Sequence, residues 1–443
     1  LRSQGDTPME MLQEYRYKLA QFWRSSIVFR SLSLLTIFAI SALLIVLPAR
    51  SQPVVLTFLM NAPEVPNLRP LIAEFEKQNP GIKLNMIEGP NASNLIEDLN
   101  TSAFLLGSAP YDLVNMDVTW VAKFAAAGWL RDLTNEIPQE QLNEFLPGDI
   151  EASRYQGKLY RVPWRTDAAL LFYRKDLLDQ AGLQPPETFD QLIKASQQIQ
   201  GKNGAQWGYV YQGRQYEGVA AMFIEVLEGN GGFWVNPQTN EVGLDRPEAI
   251  QALNFLRTTV DKGVTPAGVS TYQEEEARLL FQSGNTVFMR NWPYAWALLN
   301  KEDSPVRGKV AVKPVIHAPG KLSVSCLGGW GWGIASTTQH PVEARKALDF
   351  FTGTHVQKTT SLSSGYLPSR KALYKDPEIL AKYDFFPVAL KALENPGIRP
   401  PIAQYAQASD ILQRYLSSAI SGRISPEEAM KSAARETRAL LGV

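Results

Sequence analysis

The sequence predicts an α/β protein: a mainly parallel sheet with helices on both faces, in a chain long enough for more than one core. Three observations carry this reading. From Val54 to Gly128, apolar strand-like runs alternate with helical stretches in the order β-α-β-α-β-α. The 443 residues are 45% hydrophobic and 20% charged, a globular balance rather than a disordered one. Around Pro163 two extended runs follow each other with no helix between them, a break that suits a crossing between lobes.

Val54 to Met60 is an unbroken apolar run and reads as a buried strand. A loop with Asn61, Pro63, Glu64 and Pro66 leads into a helix from about Leu68, stopped at Asn79-Pro80-Gly81. Ile82, Leu84 and Met86 then alternate as a second strand, Leu95 to Leu106 is helical, and Tyr111 to Met116 is a third strand ending at Asp117. An Ala-rich helix follows Val118-Thr119-Trp120 and stops at Gly128. Gly157 to Pro163 reads as a strand, followed by Trp164 to Asp167 and the apolar run Ala168 to Tyr173. Thr188 and Gln191 stand at capping-box spacing at the start of the next helix. Trp207 to Tyr211 is a strand; helices follow from Gln215-Tyr216-Glu217-Gly218 and from Asp245-Arg246-Pro247. Val310 to Pro314 is a strand, and Gly328 to Gly333 reads as a Gly-rich approach to a strand at Ile334-Ala335. Pro341 to Phe351 is helical, Gly365 to Arg370 looks like a second extended crossing, and the remainder is mostly helix over 386–394, 402–421 and 425–441.

Composition removes several function classes. Lys plus Arg and Asp plus Glu both total 44, so there is no electrostatic footprint for nucleic acid or an anionic membrane. Cys326 is the only cysteine, which excludes an internal disulfide and a multi-cysteine metal site. His317, His340 and His355 share no close spacing, and neither a metal nor a cofactor is expected. At the N-terminus Arg16, Lys18, Arg24 and Arg30 precede an apolar run from Ser31 to Leu47, with small residues at Ala49 and Ser51. That pattern reads as an export signal cleaved before Gln52, or as an uncleaved anchor, and places the protein outside the cytoplasm. Met9 or Met11 is the expected start, and the absence of a cysteine near the cleavage point argues against a lipoprotein.

One stretch points to chemistry. Phe281 to Trp296 reads as a helix end, a Gly-Asn turn, a buried strand, and a helix opened by Pro293. Trp292 falls at the strand-to-helix corner, where open α/β sheets bind ligands. A flat ring there can stack on the C–H face of a sugar while polar neighbours take its hydroxyls. The glycines of 328–333 are not followed by Lys-Ser or Lys-Thr, so a sugar-facing loop is the better reading than a phosphate loop.

The stretch Gly-Asn-Thr-Val-Phe-Met-Arg-Asn-Trp-Pro-Tyr-Ala-Trp (284–296) resembles the bacterial extracellular solute-binding proteins that feed sugars to ABC importers, the trehalose/maltose-binding branch above all. The likeness continues in Asn-Met-Asp-Val-Thr-Trp (115–120), Ala-Ala-Gly-Trp-Leu (126–130), Gly-Lys-Leu-Tyr (157–160), 166–178, Gln-Tyr-Glu-Gly (215–218), Leu-Gly-Gly-Trp (327–330) and Ile-Arg-Pro (398–400). The resemblance implies a two-lobed, type II periplasmic binding protein fold of the maltose-binding-protein kind. Each lobe would be a mostly parallel sheet flanked by helices, with the ligand between them. It places one lobe at 52–165 and 326–368 and the other at 166–325 and 369–443. It also implies a non-catalytic, monomeric receptor that binds a trehalose, maltose, sucrose or glucosylglycerol class of ligand and delivers it to membrane permease subunits.

Carried over by position, the ligand set is Glu64, Asp117, Asp167, Trp292, Gly329, Trp330 and Arg399, with Tyr216 and Glu217 on a comparable loop. Carboxylates accept sugar hydroxyls in charge-assisted bonds, an arginine fork bridges neighbouring oxygens, and a glycine allows close backbone approach. Five of these have a plainer alternative: Trp292 as a core aromatic, Asp117 as a helix cap, Asp167 as the partner of Arg165, Glu64 as a solvated loop residue, Arg399 as a structural ion-pair member. This chain departs from the trehalose/maltose branch at two places. Arg165 stands where an aromatic is usual and joins the candidate list, and Asn94 stands near where a basic residue is usual. A glycoside hydrolase using the cleft carboxylates is the competing reading.

Overall fold

The computed structural model describes residues 9, 11–24, 52–107, 110–202 and 204–443. Two compact units divide the chain, 1–53 and 54–443. In the first, residues 11–24 are helical and Lys18 pairs with Glu14 at 2.8 Å. The apolar run and cleavage point read as an export signal lie outside the described residues. Among the described residues no helix is long and apolar enough to cross a membrane.

The second unit opens with β1 (Val54–Asn61), which pairs in parallel with β2 (Ile82–Gly89) through the helix Val65–Gln78. That helix stops at Asn79, where Pro80 forbids continuation. The helix Ser93–Leu105 leads to β3 (Leu113–Asp117). A small hairpin follows, β4 (Arg154–Tyr155) with β5 (Lys158–Leu159). Next come β6 (Val162–Ala168) and, one residue later, β7 (Leu170–Arg174): two strands do follow each other without a helix, but Pro163, read as the end of the first, lies inside β6, which runs on through Trp164 to Asp167. The capping box is present: Thr188 Oγ1 accepts from the Gln191 amide at 3.3 Å, and Gln191 Oε1 from the Thr188 amide at 3.1 Å.

Strands β8 (Trp207–Val210), β9 (Thr286–Asn291) and β10 (Val310–Pro314) join β7 in a sheet of order β10-β7-β9-β8. The other large sheet is centred on β11 (Ser325–Ile334), which bonds to β3, to β6 and to β13 (Pro396–Gly397), with β12 (Leu367–Pro368) on the outer side of β6. The sheets are mixed rather than mostly parallel. β1–β2, β8–β9 and β11–β13 are parallel, whereas β3–β11, β6–β11, β12–β6, β7–β9 and β7–β10 are antiparallel. β6 runs directly into β7, and β10 is followed by β11 with no helix between, so these two runs lie antiparallel to each other, β10 on β7 and β11 on β6.

The segment Gly328–Gly333, expected to approach a strand, is itself the middle of β11 and wholly buried. A side chain on Gly331 would place its Cβ 2.6 Å from the Val162 carbonyl oxygen, and one on Gly329 (φ +127°) 2.6 Å from that of Arg165. Glycine is needed here because β6 lies against this strand, so the weak strand preference of glycine is overridden.

Three buried clusters fill the unit. One gathers β1, β3, the C-terminal part of β11 and the helix Pro341–Phe351, with Trp332 stacked on Phe351 at 4.6 Å and Phe58 edge-on to Trp332 at 5.1 Å. A second surrounds the helix Glu217–Gly229 and includes the C-terminal helices Tyr405–Ile420 and Pro426–Leu441. The third joins Leu170, Phe172 and Met289 to Phe385 and Phe386, and Trp296 packs on Phe385 at 5.2 Å.

Candidate functional site

Sheet register assembles the first part of the site. Asp117 on β3 and Arg165 on β6 both stand opposite Trp330 of β11, and Asp167 stands opposite Gly328. Arg165 and Asp167 are two residues apart on one strand and so share a face. Arg165 Nη1 donates to Asp167 Oδ2 at 2.5 Å, and its Nη2 to Glu64 Oε1 at 3.1 Å. Glu64 lies in the turn after β1 and is only 7% exposed, so it is a buried residue and not a solvated one. Tyr366, one residue before β12, donates its hydroxyl to the same Glu64 oxygen at 3.2 Å and lies under the Arg165 guanidinium at 4.4 Å.

A second group meets at Arg399, which follows β13. Its Nη1 donates to Glu217 Oε1 at 2.7 Å, and its Nη2 reaches Asp117 Oδ1 at 3.4 Å and the Leu327 carbonyl at 3.2 Å. Glu217 also accepts from the Tyr405 hydroxyl and from Ser409 Oγ at 2.6 Å. Asp117 does cap the turn that follows it, accepting from the Thr119 amide at 3.0 Å, and it holds Arg399 at the same time. A cavity of about 230 Å³ is lined by Thr119, Trp120, Glu217 and Tyr405 together with Asn94. A larger surface hollow of about 620 Å³ beside Pro185, Pro186 and Lys313 includes none of the candidate residues.

Trp292 anchors the third group. It sits half-buried at the end of β9, with Nε1 donating to Glu274 Oε1 at 3.2 Å and the Arg290 guanidinium over its ring at 4.1 Å. Tyr216 donates to the other Glu274 oxygen at 2.7 Å. Arg290 is fixed in turn by buried Glu225, with Nε to Oε2 at 2.9 Å, and by Gln212. The groups meet at Gly328: a Cβ there would stand 3.4 Å from the Trp292 ring and 3.1 Å from Asp167 Cβ.

The structure therefore brings Glu64, Arg165, Asp167 and Trp330 together, links Asp117, Glu217 and Arg399, and sets Trp292 and Tyr216 beside them. Gly329 is accounted for by the close passage of β6, and its carbonyl accepts from Arg161 Nη1 at 3.1 Å. Trp330 is 8% exposed and packs edge-on to Trp120 at 5.2 Å. Sequence reasoning missed Glu274, Tyr366, Tyr405 and Ser409. Glu274 sits in a run of three glutamates that reads as ordinary acidic first-turn content, whereas Tyr366 lay inside the extended crossing already singled out.

The electrostatics are those of a water-poor site. Burial raises the Asp167 carboxyl to about 6, against the pull of Arg165 and with help from Glu64, Asp117 and Asp149. Burial likewise raises Asp149 to about 6, although it accepts from Thr166 Oγ1 at 2.8 Å and from Ser369. Burial works against the charge on Arg165, but Asp167 and Glu64 outweigh it and raise its pKa. Glu64 Oε2, Arg165 Nε and Arg399 Nε are buried with no protein partner. Among the described residues no group of His, Cys, Asp or Glu is placed to hold a metal. Carboxylates and guanidinium forks are groups that hydrogen-bond hydroxyls, and an indole face is one that stacks on C–H surfaces.

Comparison with known proteins places this surface in a class. Residues 61–358 match the family of bacterial extracellular solute-binding proteins, and the chain belongs to that family. A probable ABC transporter-binding protein of Deinococcus radiodurans is 32% identical over 80% of this chain and 85% of its own. The maltose-bound MalE3 protein of T. maritima superposes with a TM-score of 0.82 at 38% identity, covering 87% of this chain and all of that one. A solute-binding protein from Thermotoga lettingae bound with alpha-D-tagatose gives 0.78 at 26%, covering 88% of this chain and all of that one. The fold is thus the two-lobed type II periplasmic binding protein fold, and the protein is a binding protein rather than an enzyme.

Proposed function

We propose that this protein is the receptor of an ABC sugar importer, capturing a small glucosyl disaccharide or glycoside outside the cytoplasm and handing it to a membrane permease. The observation that carries the reading is the meeting of buried Asp167 and half-buried Trp292 at Gly328, with buried Glu64 and half-buried Asp117 tied in through Arg165 and Arg399. Hydroxyl acceptors beside an indole face match the two chemistries of a pyranose, its hydroxyl rim and its C–H face. The relatives support it: one is a maltotriose-binding protein of Pyrococcus abyssi, 26% identical over 74% of this chain and 69% of its own, and MalE3 holds maltose.

In this reading one lobe is 52–165 with 326–368 and the other is 166–325 with 369–443. Two of the buried clusters each draw on one side of that partition, and the third joins Leu367 to residues of the other side. Asp117 and Arg165 stand on the first lobe, Glu217 and Trp292 on the second, so a ligand bound by both favours closure by its greater affinity for the closed form. The receptor acts as a monomer, with the permease as its macromolecular partner. The test is a thermal-shift screen against trehalose, maltose, sucrose and glucosylglycerol. At about a hundredfold its dissociation constant, a ligand of the folded state adds roughly 2.7 kcal/mol. No shift with any of the four would overturn the assignment.

A further inference from the structure

The aromatic groups beside the cleft carboxylates are not equally available. Trp292 and Tyr366 are half-buried, and the Arg290 guanidinium lies over the Trp292 ring at 4.1 Å, while Trp330 is 8% exposed and Trp164 is 1% exposed. The Tyr366 ring is covered by the Arg165 guanidinium at 4.4 Å, and the same guanidinium lies 5.9 Å from the Trp330 and Trp164 rings. Arg165 therefore stands over a face of Tyr366 on which a second ring would otherwise stack, the Trp164 and Trp330 rings being buried in the core. It is firmly held. Asp167 and Glu64 bind its two terminal nitrogens, and its side chain is 11% exposed. Moving it aside would leave two buried carboxylates without a cation, which is strongly unfavourable. The same cluster leaves one buried donor, Arg165 Nε, and one buried acceptor, Glu64 Oε2, without partners. A hydroxyl both donates and accepts, so a ligand hydroxyl can satisfy either member of such a pair.

From this we propose that Arg165 sets the length of the ligand by closing one end of the site, so that the site takes a single sugar ring stacked on Trp292 and carrying a short hydroxylated substituent. The proposal rests on the sugar-receptor reading and narrows it. Arg165 is a specificity-determining residue: it limits how much of a glycan is admitted and offers its own donor to the end of what is.

Calorimetric titration of the wild type and of Arg165→Ala with glucosylglycerol, maltose and maltotriose tests this. The wild type should bind glucosylglycerol at least about tenfold more tightly than maltotriose, with maltose between them. Arg165→Ala should bring the three affinities within about threefold of one another, as the longer ligand gains the uncovered Tyr366 face. Arg165→Lys keeps a cation for Asp167 and Glu64 but has no planar group to cover Tyr366. It should shift the ranking in the same direction and serves where the alanine variant fails to fold. A wild type that binds maltotriose as tightly as glucosylglycerol, or variants that keep the wild-type ranking, would overturn the role of Arg165 while leaving the receptor reading intact. Absence of binding by all three sugars would overturn the role of Arg165, and the receptor reading falls with it only if trehalose and sucrose also fail to bind.

Discussion

Asp167 is expected to weaken the folded state at neutral pH, and the effect is large enough to measure. Its carboxyl is raised from 3.8 to about 6, chiefly by burial, despite the 2.5 Å contact with Arg165. A group bound more tightly to its proton when folded contributes stability below the unfolded pKa and loses it as pH rises through the folded value. The window is therefore about pH 4 to 6. At about 1.4 kcal/mol per tenfold change in proton affinity, the rise corresponds to about 3 kcal/mol. Asp149, raised to about 6 by burial, adds a loss of the same sign. In Asp167→Asn the neutral amide stands in for the protonated acid. The ligand-free variant should be more stable than wild type at pH 7 by about 2–3 kcal/mol and equal to it near pH 4, with a shallower slope between. Urea unfolding at half-unit pH steps measures this for both proteins. The variant should also bind its ligand more weakly, since one charged acceptor is gone. If Asp167→Asn is less stable than wild type at pH 7, the Arg165 contact outweighs burial and the reasoning fails.

Other consequences are equally direct. Trp292→Ala should weaken sugar binding by about 2 kcal/mol, roughly thirtyfold in Kd. Because the ring is half-buried, its melting temperature without ligand should stay near that of the wild type, and a collapse there would mark Trp292 as a core residue. Glu225→Ala strands the buried Arg290 charge beneath Trp292 and should cost about 3–5 kcal/mol in chemical denaturation. Gly331→Ala forces a Cβ to 2.6 Å from the Val162 carbonyl and should destabilise by more than about 2 kcal/mol. Gly81→Ala, with open space around it, should change stability by less than about 0.5 kcal/mol, and equal effects of the two would refute the packing argument.

Much of the fold was legible because its signals are local. The apolar run of β1, the alternation of β2, the stop at Asn79-Pro80-Gly81 and the Thr188–Gln191 box each depend on a few neighbouring residues. The glycines of β11 misled because their reason is not local. They are small because Val162 and Arg165 of another strand pass against them. The site divides in the same way. Trp292 stands out at a strand end beside a helix-starting proline, and the other candidate positions came through family likeness. The bonds between them escaped the sequence: Arg399 reaches Glu217 and Asp117 across 182 and 282 residues, and no short-range pattern encodes such contacts. Arg165 stood out in the sequence only as a departure from the branch it resembles, and its contacts with Asp167, Glu64 and Tyr366 come from three separate parts of the chain.

The place of β11 in the chain also bears on how the molecule comes into being. This strand bonds to β3 and to β6, both made long before it, and to β13, made after it. Until residue 334 has emerged, β3 and β6 lack their shared neighbour, and the sheet between them has no middle. Pairings this distant in sequence form slowly, because a long loop must close before any contact rewards it. During synthesis the earlier strands therefore carry open edges that could pair with other chains.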